Sequence, residues 1–99
     1  MNISSSDSII QISGVDSAEF LQGQITNDIN FASKNKLLNS AICNVKGRII
    51  AVFKILKTSS GFLIFVNDSV AKKFKNHLEK YAVFFKTKIE FIDNAINGI

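Results

Sequence analysis

The stretch LLNSAICNVKGRIIAVFKIL, residues 37–56, decides how this chain folds. It contains two runs rich in apolar and β-branched residues, which favour β-strands, separated by a short polar segment. That segment, Asn44-Val45-Lys46-Gly47, has the composition of a turn, and Gly47 can adopt a positive φ angle. The stretch therefore predicts a β-hairpin whose tip carries Lys46-Gly47-Arg48.

Three further strands are predicted around this hairpin. Ile9 to Ile12 form a short apolar run that stops at Ser13-Gly14. Phe62 to Val66 are apolar at every position, as expected for a central strand covered on both faces. Near the end, the charged residues Lys86, Lys88 and Glu90 alternate with Thr87, Ile89 and Phe91, which predicts a last strand with one dry and one wet face.

The first helix is predicted to begin at a capping box formed by Asp16 and Glu19. Its inward positions would be Phe20 or Leu21, then Ile25, then Ile29. This places Gly23 in mid-helix, where glycine costs about 1 kcal/mol relative to alanine. Either close packing against a strand or the approach of a ligand or another domain would compensate that cost.

A second helix is predicted from a cap at Asp68 or Ser69 to about Tyr81, with an apolar stripe of Val70, Phe74, Leu78 and Tyr81. Much of the net charge of +4 gathers on Lys72 to Lys80. Two interpretations of these lysines stay open. They form an ordinary solvated helix face, or they form a patch for nucleic acid or an acidic partner.

The predicted order is β-α-β-β-β-α-β, with antiparallel hairpins in the middle. We therefore expect an α+β fold, an antiparallel sheet with two helices related to the ferredoxin-like arrangement. The 99 residues contain 46% hydrophobic residues and no proline, linker or repeat, so one domain over 1–99 is expected. Asn94 to Ile99 show no clear element.

Composition excludes several classes of protein. The apolar runs are too short to span a bilayer and the first residues are polar, so a soluble, cytoplasmic chain without a membrane partner is expected. With one Cys and one His, neither an internal disulfide nor a zinc site can be assembled.

Few residues suggest chemistry by themselves. His77 is predicted to be a surface or half-buried residue rather than a catalytic base, and Cys43 a buried small hydrophobe rather than a nucleophile. Thr26, Asn27 and Asp28 cluster where the chain leaves the first helix, either to satisfy helix carbonyls or to form part of a site. Lys46-Gly47-Arg48 serves the hairpin as a turn, and its two cations also suit a carboxylate or phosphate tail.

Three motifs, in order and at matching separations, carry a family resemblance. Ser13-Gly14 precedes Leu21-Gln22-Gly23-Gln24 with Thr26 and Asp28, followed by Lys46-Gly47-Arg48 and by Lys80-Tyr81-Ala82-Val83-Phe84. From about Ile9 to Ile92 the chain resembles the N-terminal part of the folate-binding YgfZ family, in the superfamily of the glycine-cleavage T-protein, an aminomethyltransferase.

The resemblance implies the first domain of a cloverleaf scaffold that binds tetrahydrofolate, with roles in iron–sulfur enzyme maintenance and tRNA modification. It implies folate contacts at Thr26, Asn27, Asp28, at the turn Lys46-Gly47-Arg48, and at an apolar wall near Phe53. Its expected partners are folate and iron–sulfur or tRNA-modifying enzymes, and direct binding of nucleic acid is not expected. The family's Lys-Gly-Cys motif belongs to a downstream region outside this sequence, so a fragment or truncated homologue is expected.

One departure bears on catalysis. Aminomethyltransferases carry an acidic pair at the positions of Ala51 and Val52, so the resemblance implies a non-enzymatic protein with no catalytic residue. A domain without its sister domains would expose apolar surface and strand edges, which predicts a homodimer. The alternative function is a small stand-alone module that binds protein or RNA.

Overall fold

The computed structural model describes residues 7–44 and 46–92. The elements in chain order are strand β1 (Asp7–Ser13), helix α1 (Ser17–Gln22), a single-turn 3-10 helix (Ile29–Phe31), β2 (Leu38–Cys43), β3 (Ile49–Lys57), β4 (Gly61–Asn67), helix α2 (Asp68–Ala82) and β5 (Lys88–Ile92). This confirms the predicted element order and adds the 3-10 turn. Val45 of the predicted turn and the predicted end at residues 94–99 lie outside the described residues.

The strands form one sheet in the order β2-β3-β4-β1-β5, in which every neighbouring pair is antiparallel. Without β2, the order is β3-β4-β1-β5, so β1 lies between β4 and β5. This is the split β-α-β arrangement of ferredoxin-like folds, so the predicted α+β class is confirmed. β2 extends that sheet as an additional edge strand.

Both helices cover the same face of the sheet and enclose the main core. Alternate residues of the strands point to this face, among them Ile10, Ile12, Phe53, Ile55, Ile64 and Val66. The helices contribute Phe20, Leu21, Phe74 and Leu78, and the rings of Phe53 and Phe74 lie 4.8 Å apart. Each such side chain stabilises the fold by roughly 1.5–3 kcal/mol when it is fully buried.

The prediction that β4 is covered on both faces holds at its centre. Phe62, Ile64 and Val66 belong to the main core, whereas Phe65 points to the opposite face and is also buried. Phe65 pairs with Ile9 of β1, which is buried as well. The sheet therefore has a second, smaller apolar area on the face away from the helices.

The prediction for the first helix is wrong in two respects. The helix ends at Gln22, so Gly23 is its C-cap residue with φ −74°, and Ile25 and Ile29 follow the helix. A Cβ on Gly23 would lie 3.5 Å from its nearest neighbour, the Phe20 carbonyl oxygen, which is an ordinary contact. Close packing is therefore not what places a glycine here.

The predicted capping box is also absent, because its acid has a more distant partner. Asp16 makes no side-chain cap bond, and its Oδ2 accepts instead from the Lys86 N–H at 2.7 Å. The Asp16 N–H in turn donates to the Lys86 carbonyl at 3.1 Å. Asp16 thus joins the start of α1 to the entry of β5 rather than closing the first turn of its own helix.

The second helix begins one residue earlier than predicted. Asn67 is the cap, because its extended backbone places Oδ1 where it accepts from the Ser69 N–H at 2.9 Å. The helix runs to Ala82, and Phe74 and Leu78 are fully buried with Val70 and Tyr81 packed beside them, which confirms the apolar stripe. Lys72, Lys73 and Lys80 are exposed.

The β2–β3 hairpin is confirmed and projects beyond its neighbour. Gly47 has φ +80°, a conformation that side chains rarely adopt. The side chain of Asn44 holds the turn, since its Oδ1 accepts from the N–H groups of Lys46 and Arg48 at 2.9 and 3.1 Å. Pairing of β3 with β4 begins only at Phe53, so residues 49–52 form an arm that carries the basic turn.

Candidate ligand-binding clefts

The first cleft lies against β3 and encloses about 370 Å³. Its lining combines apolar and polar side chains: Asp7, Asn39, Ser40, Val52, Phe53, Lys54, Phe65 and Asn67. An apolar wall with a few convergent polar groups is the usual character of a small-molecule site. Of the predicted site residues, only Phe53 lines this cleft.

Ser40 is a feature of this cleft that the sequence did not point to. It is only 9% exposed, and its Oγ has no hydrogen-bond partner among the residues that the structure describes. A buried hydroxyl without a partner is uncommon in folded proteins. Ser40 lies opposite Phe53 in the β2–β3 pairing, so its side chain faces the main core, and this burial was not visible in its sequence neighbourhood.

Thr26 and Asn27 fasten the chain to the edge strand β2, and Asp28 caps the turn that follows. The Thr26 N–H donates to the Ala41 carbonyl at 3.0 Å, and Asn27 Nδ2 donates to the Asn39 carbonyl at 3.1 Å. Asp28 caps the 3-10 turn, where its Oδ1 accepts from the Asn30 N–H at 2.9 Å. The structure thus brings Asn27 next to the first cleft through Asn39, while the Asp28 carboxylate serves local structure.

Gln22 organises this segment and was missed as a structural residue. Its Nε2 donates to the Asn27 carbonyl at 3.1 Å, and its Oε1 accepts from the Ile29 N–H at 2.8 Å. One side-chain amide thereby holds both ends of the Asn27–Ile29 turn. Gln22 is the first glutamine of the Leu-Gln-Gly-Gln motif, and its place in that motif is the sequence feature that could have identified this role.

Lys46, Gly47 and Arg48 lie at the tip of the arm, apart from the first cleft. Five strand positions separate Arg48 from Phe53, which corresponds to roughly 17 Å along an extended strand. The predicted site residues therefore form two groups, one beside β2 and one at the hairpin tip. Ala51 and Val52 lie between them, the first buried and the second 65% exposed, and neither position carries a carboxylate.

A second cleft, of about 430 Å³, lies between the end of α1, the β2–β3 turn and α2. It is lined by Gly23, Gln24, Cys43, Asn44, Ile50, His77, Lys80 and Tyr81. His77 is half-buried, as predicted, and burial together with the Lys80 charge lowers the pKa of its imidazole from the usual 6.5. Cys43 was expected to be buried, but it ends β2 and is half-exposed to this cleft.

Neither cleft has the donor set of a metal site. Within residues 7–44 and 46–92, no three His, Cys, Asp or Glu side chains are grouped so that they could hold an ion. In the same part of the chain, no helix has the length and apolar character needed to cross a membrane.

The sequence of this chain is similar to those of proteins named YgfZ. The chain is 37% identical over 86 residues to a protein named tRNA-modifying protein YgfZ from Buchnera aphidicola subsp. Schizaphis graminum, a match that covers 87% of this chain and 27% of that protein. The YgfZ protein of Colwellia psychrerythraea is 32% identical over 84 residues, or 85% of this chain and 26% of its own length. The resemblance to the YgfZ family is confirmed. No family model matches the chain.

The fold has a solved counterpart. Glycine cleavage system aminomethyltransferase T from Bartonella henselae superposes with a TM-score of 0.81 over 89% of this chain and 25% of that chain, at 20% sequence identity. The two share the fold. The chain spans about a quarter of the length of the YgfZ proteins it matches, 27% and 26% in the two cases above.

Proposed function

We propose that this chain acts as YgfZ proteins do, as a non-enzymatic folate-binding factor in tRNA modification and iron–sulfur cluster maintenance. In this proposal it contributes one wall of a folate site. The observation that carries the proposal is similarity over 87% of the chain to a protein named for tRNA modification. The first cleft supports the proposal, because Phe53 lines it and Asn27 is hydrogen-bonded to the backbone of Asn39, another lining residue.

The lining of the first cleft suits the pterin ring of a reduced folate. Val52 and Phe65 offer apolar surface to a flat ring, and Phe53 forms part of the wall. The Asn39 amide can pair with the polar edge of the ring.

The anionic end of the ligand would reach the basic turn. A folate is an elongated molecule with its carboxylates far from the pterin, and the arm from Phe53 to Arg48 extends roughly 17 Å in the same way. Arg48 and Lys46 would attract these carboxylates, Arg48 with a paired hydrogen-bond geometry. Both side chains are exposed, so this attraction is screened by salt.

Binding by this chain alone should be weak, on the order of hundreds of micromolar or poorer, because one wall buries only part of the ligand. Titration with a reduced folate, followed by calorimetry at low and high salt, measures this. Lys46→Ala and Arg48→Ala should weaken binding, and Lys34→Ala, an exposed lysine before β2, should not. A submicromolar dissociation constant, or no effect of the two turn variants, would contradict the proposal.

The proposal also excludes aminomethyl transfer by this chain. Ala51 and Val52 provide no carboxylate to orient an amine or move a proton. Incubation with tetrahydrofolate and the aminomethyl-bearing carrier protein should therefore produce no methylene-tetrahydrofolate. Turnover above a buffer blank would show that the chain is an enzyme after all.

A further inference from the structure

The second cleft differs in chemistry from the first and has no part in the folate proposal. Gly23, which has no side chain, and the amides of Gln24 and Asn44 are part of its lining. Ile50 adds apolar surface. The cleft therefore offers room, hydrogen-bonding groups and a nonpolar surface together.

Two aromatic rings stand side by side in this cleft. The rings of His77 and Tyr81, one helical turn apart on α2, have centroids 5.0 Å apart at an interplanar angle of 56°. Both residues are half-buried, so part of each side chain is accessible. Accessible aromatic faces are the surfaces on which proteins stack planar bases.

The charge around the cleft is of one sign. Lys80 lies beside the rings, with its ammonium 5.8 Å from the centre of Tyr81, and none of the lining residues is acidic. In residues 7–44 and 46–92 the ion pairs are Lys75–Glu79 and Lys88–Glu90, so Lys80 is not neutralised by either. Such a cleft repels cations and attracts a phosphate or carboxylate.

We propose that the second cleft binds a nucleotide, with its base against the rings of His77 and Tyr81 and its phosphate at Lys80. The nucleotide is either free or part of a single-stranded RNA, since both present the same base and phosphate. This departs from the sequence-based expectation that nucleic acid is not a direct partner. The departure rests on the structure, which places Lys80 and the two rings in one concave surface.

The sequence provides built-in reporters for this cleft. His77 is the chain's single histidine and Tyr81 its single tyrosine, and there is no tryptophan. The ring resonances of both residues in a proton NMR spectrum can therefore be identified by residue type alone. Titration of the 99-residue chain with AMP, with a short unstructured RNA and with inorganic phosphate should shift them in the first or second case and leave them nearly unmoved in the third.

Two variants test the two halves of the site. Tyr81→Leu keeps apolar bulk but removes the ring, and should weaken binding by about fivefold or more, since stacking is worth ~1–3 kcal/mol per base. Lys80→Gln should weaken binding and lower the slope of log affinity against log salt by about one. Lys72→Gln removes the same charge from an exposed site on the same helix outside the cleft, and should leave affinity within about twofold.

The outcomes separate the alternatives. Shifts with both AMP and RNA assign the site to nucleotides in general, and shifts with RNA alone assign it to single-stranded RNA. The proposal is overturned if neither shifts the two rings, if phosphate alone reproduces the effect, or if Lys72→Gln weakens binding as much as Lys80→Gln. Because the ligand and the cleft differ from those of the folate titration, failure here leaves that result untouched.

Discussion

The side-chain amide of Gln22 acts as a clamp at the scale of a single residue. It bonds the Asn27 carbonyl and the Ile29 N–H, and so holds the turn that brings Thr26 and Asn27 onto β2. The edge strand beside the proposed folate cleft therefore depends on a residue that does not line the cleft. Residues of this kind support a site through backbone placement rather than through contact with a ligand.

Removing this clamp should destabilise the fold measurably. Gln22→Ala loses two hydrogen bonds at a partly exposed position, which should lower the free energy of unfolding by about 1 kcal/mol. Gln24→Ala is the matched control, because no hydrogen bond of the Gln24 side chain is found among the residues that the structure describes, and it should change stability by less than ~0.5 kcal/mol. Urea denaturation of both variants measures the difference, and equal effects would contradict this role for Gln22.

His77 should make stability depend on pH. Burial, and secondarily the Lys80 charge, lower its pKa below 6.5 in the folded chain, while Tyr81, Cys43, Gln24 and Asn44 complete its surroundings. Between the lowered pKa and pH 6.5, the unfolded chain binds more protons at His77 than the folded chain does, so acidification favours unfolding. The stability that depends on a neutral His77 is therefore fully present above pH 6.5 and is lost as the pH falls through the folded pKa.

The measurement is the free energy of unfolding across that pH range for the native chain and for His77→Gln. The native chain should lose stability on acidification more steeply than the variant. An identical slope for the two proteins would show that His77 does not contribute to it.

At the scale of elements, two glycines at the ends of helix α1 have opposite requirements. Gly14 precedes the helix with φ +114°, and a Cβ there would collide with the Lys86 carbonyl oxygen. Gly23 ends the helix in an ordinary right-handed conformation, where a Cβ would make only ordinary contacts. The close approach of the first turn to the start of β5 thus requires a glycine, whereas the helix end does not.

Alanine at these two positions should therefore act in opposite directions. Gly14→Ala should lower stability by more than ~1 kcal/mol, because the native conformation is incompatible with a side chain. Gly23→Ala should be neutral or stabilising by up to ~1 kcal/mol, since it reduces the freedom of the unfolded chain. Thermal unfolding of both variants tests this, and a destabilising Gly23→Ala would indicate a constraint that the backbone does not reveal.

The elements that the sequence predicted correctly are those fixed by local patterns. Gly47 in the turn, the apolar run Phe62 to Val66 and the stripe of α2 each depend on neighbouring residues. Asp16 was misinterpreted because its partner, Lys86, lies 70 positions away. A local sequence pattern cannot reveal a contact between residues so far apart in the chain.

The candidate sites show the same limit. The family motifs led to Phe53, to the segment Thr26–Asp28 and to the basic turn, but not to Ser40. Its burial depends on how β2 pairs with β3 and on what covers that edge of the sheet. The second cleft was missed for a similar reason, because Cys43, His77 and Tyr81 come together only when α2 is laid across the sheet.

At the scale of the whole molecule, exposed apolar side chains support the proposal of a homodimer. Val15 and Phe84 are 85% and 88% exposed, and both lie in turns at the ends of helices. The outer carbonyls of edge strand β2 at Asn39 and Ala41 are already occupied, whereas β5 pairs only with β1 among the described residues. β5 is thus the more open edge for a second copy.

Sedimentation equilibrium over a wide concentration range should show a monomer–dimer equilibrium. Phe84→Ser should reduce the binding of a hydrophobic dye, since Phe84 is the most exposed of the large apolar residues that the structure describes. A monomer at high micromolar concentration that binds no dye would mean that the chain covers its own apolar surface.

The central claim is that the first cleft and the basic turn together form one wall of a folate site. Chemical-shift mapping of the isotopically labelled chain with a reduced folate tests it most directly. We predict that the perturbed backbone amides cluster at Asn39, Ser40 and Phe53 and at Lys46 to Arg48. Perturbations confined to the cleft of His77 and Tyr81, or none at millimolar folate, would contradict the account.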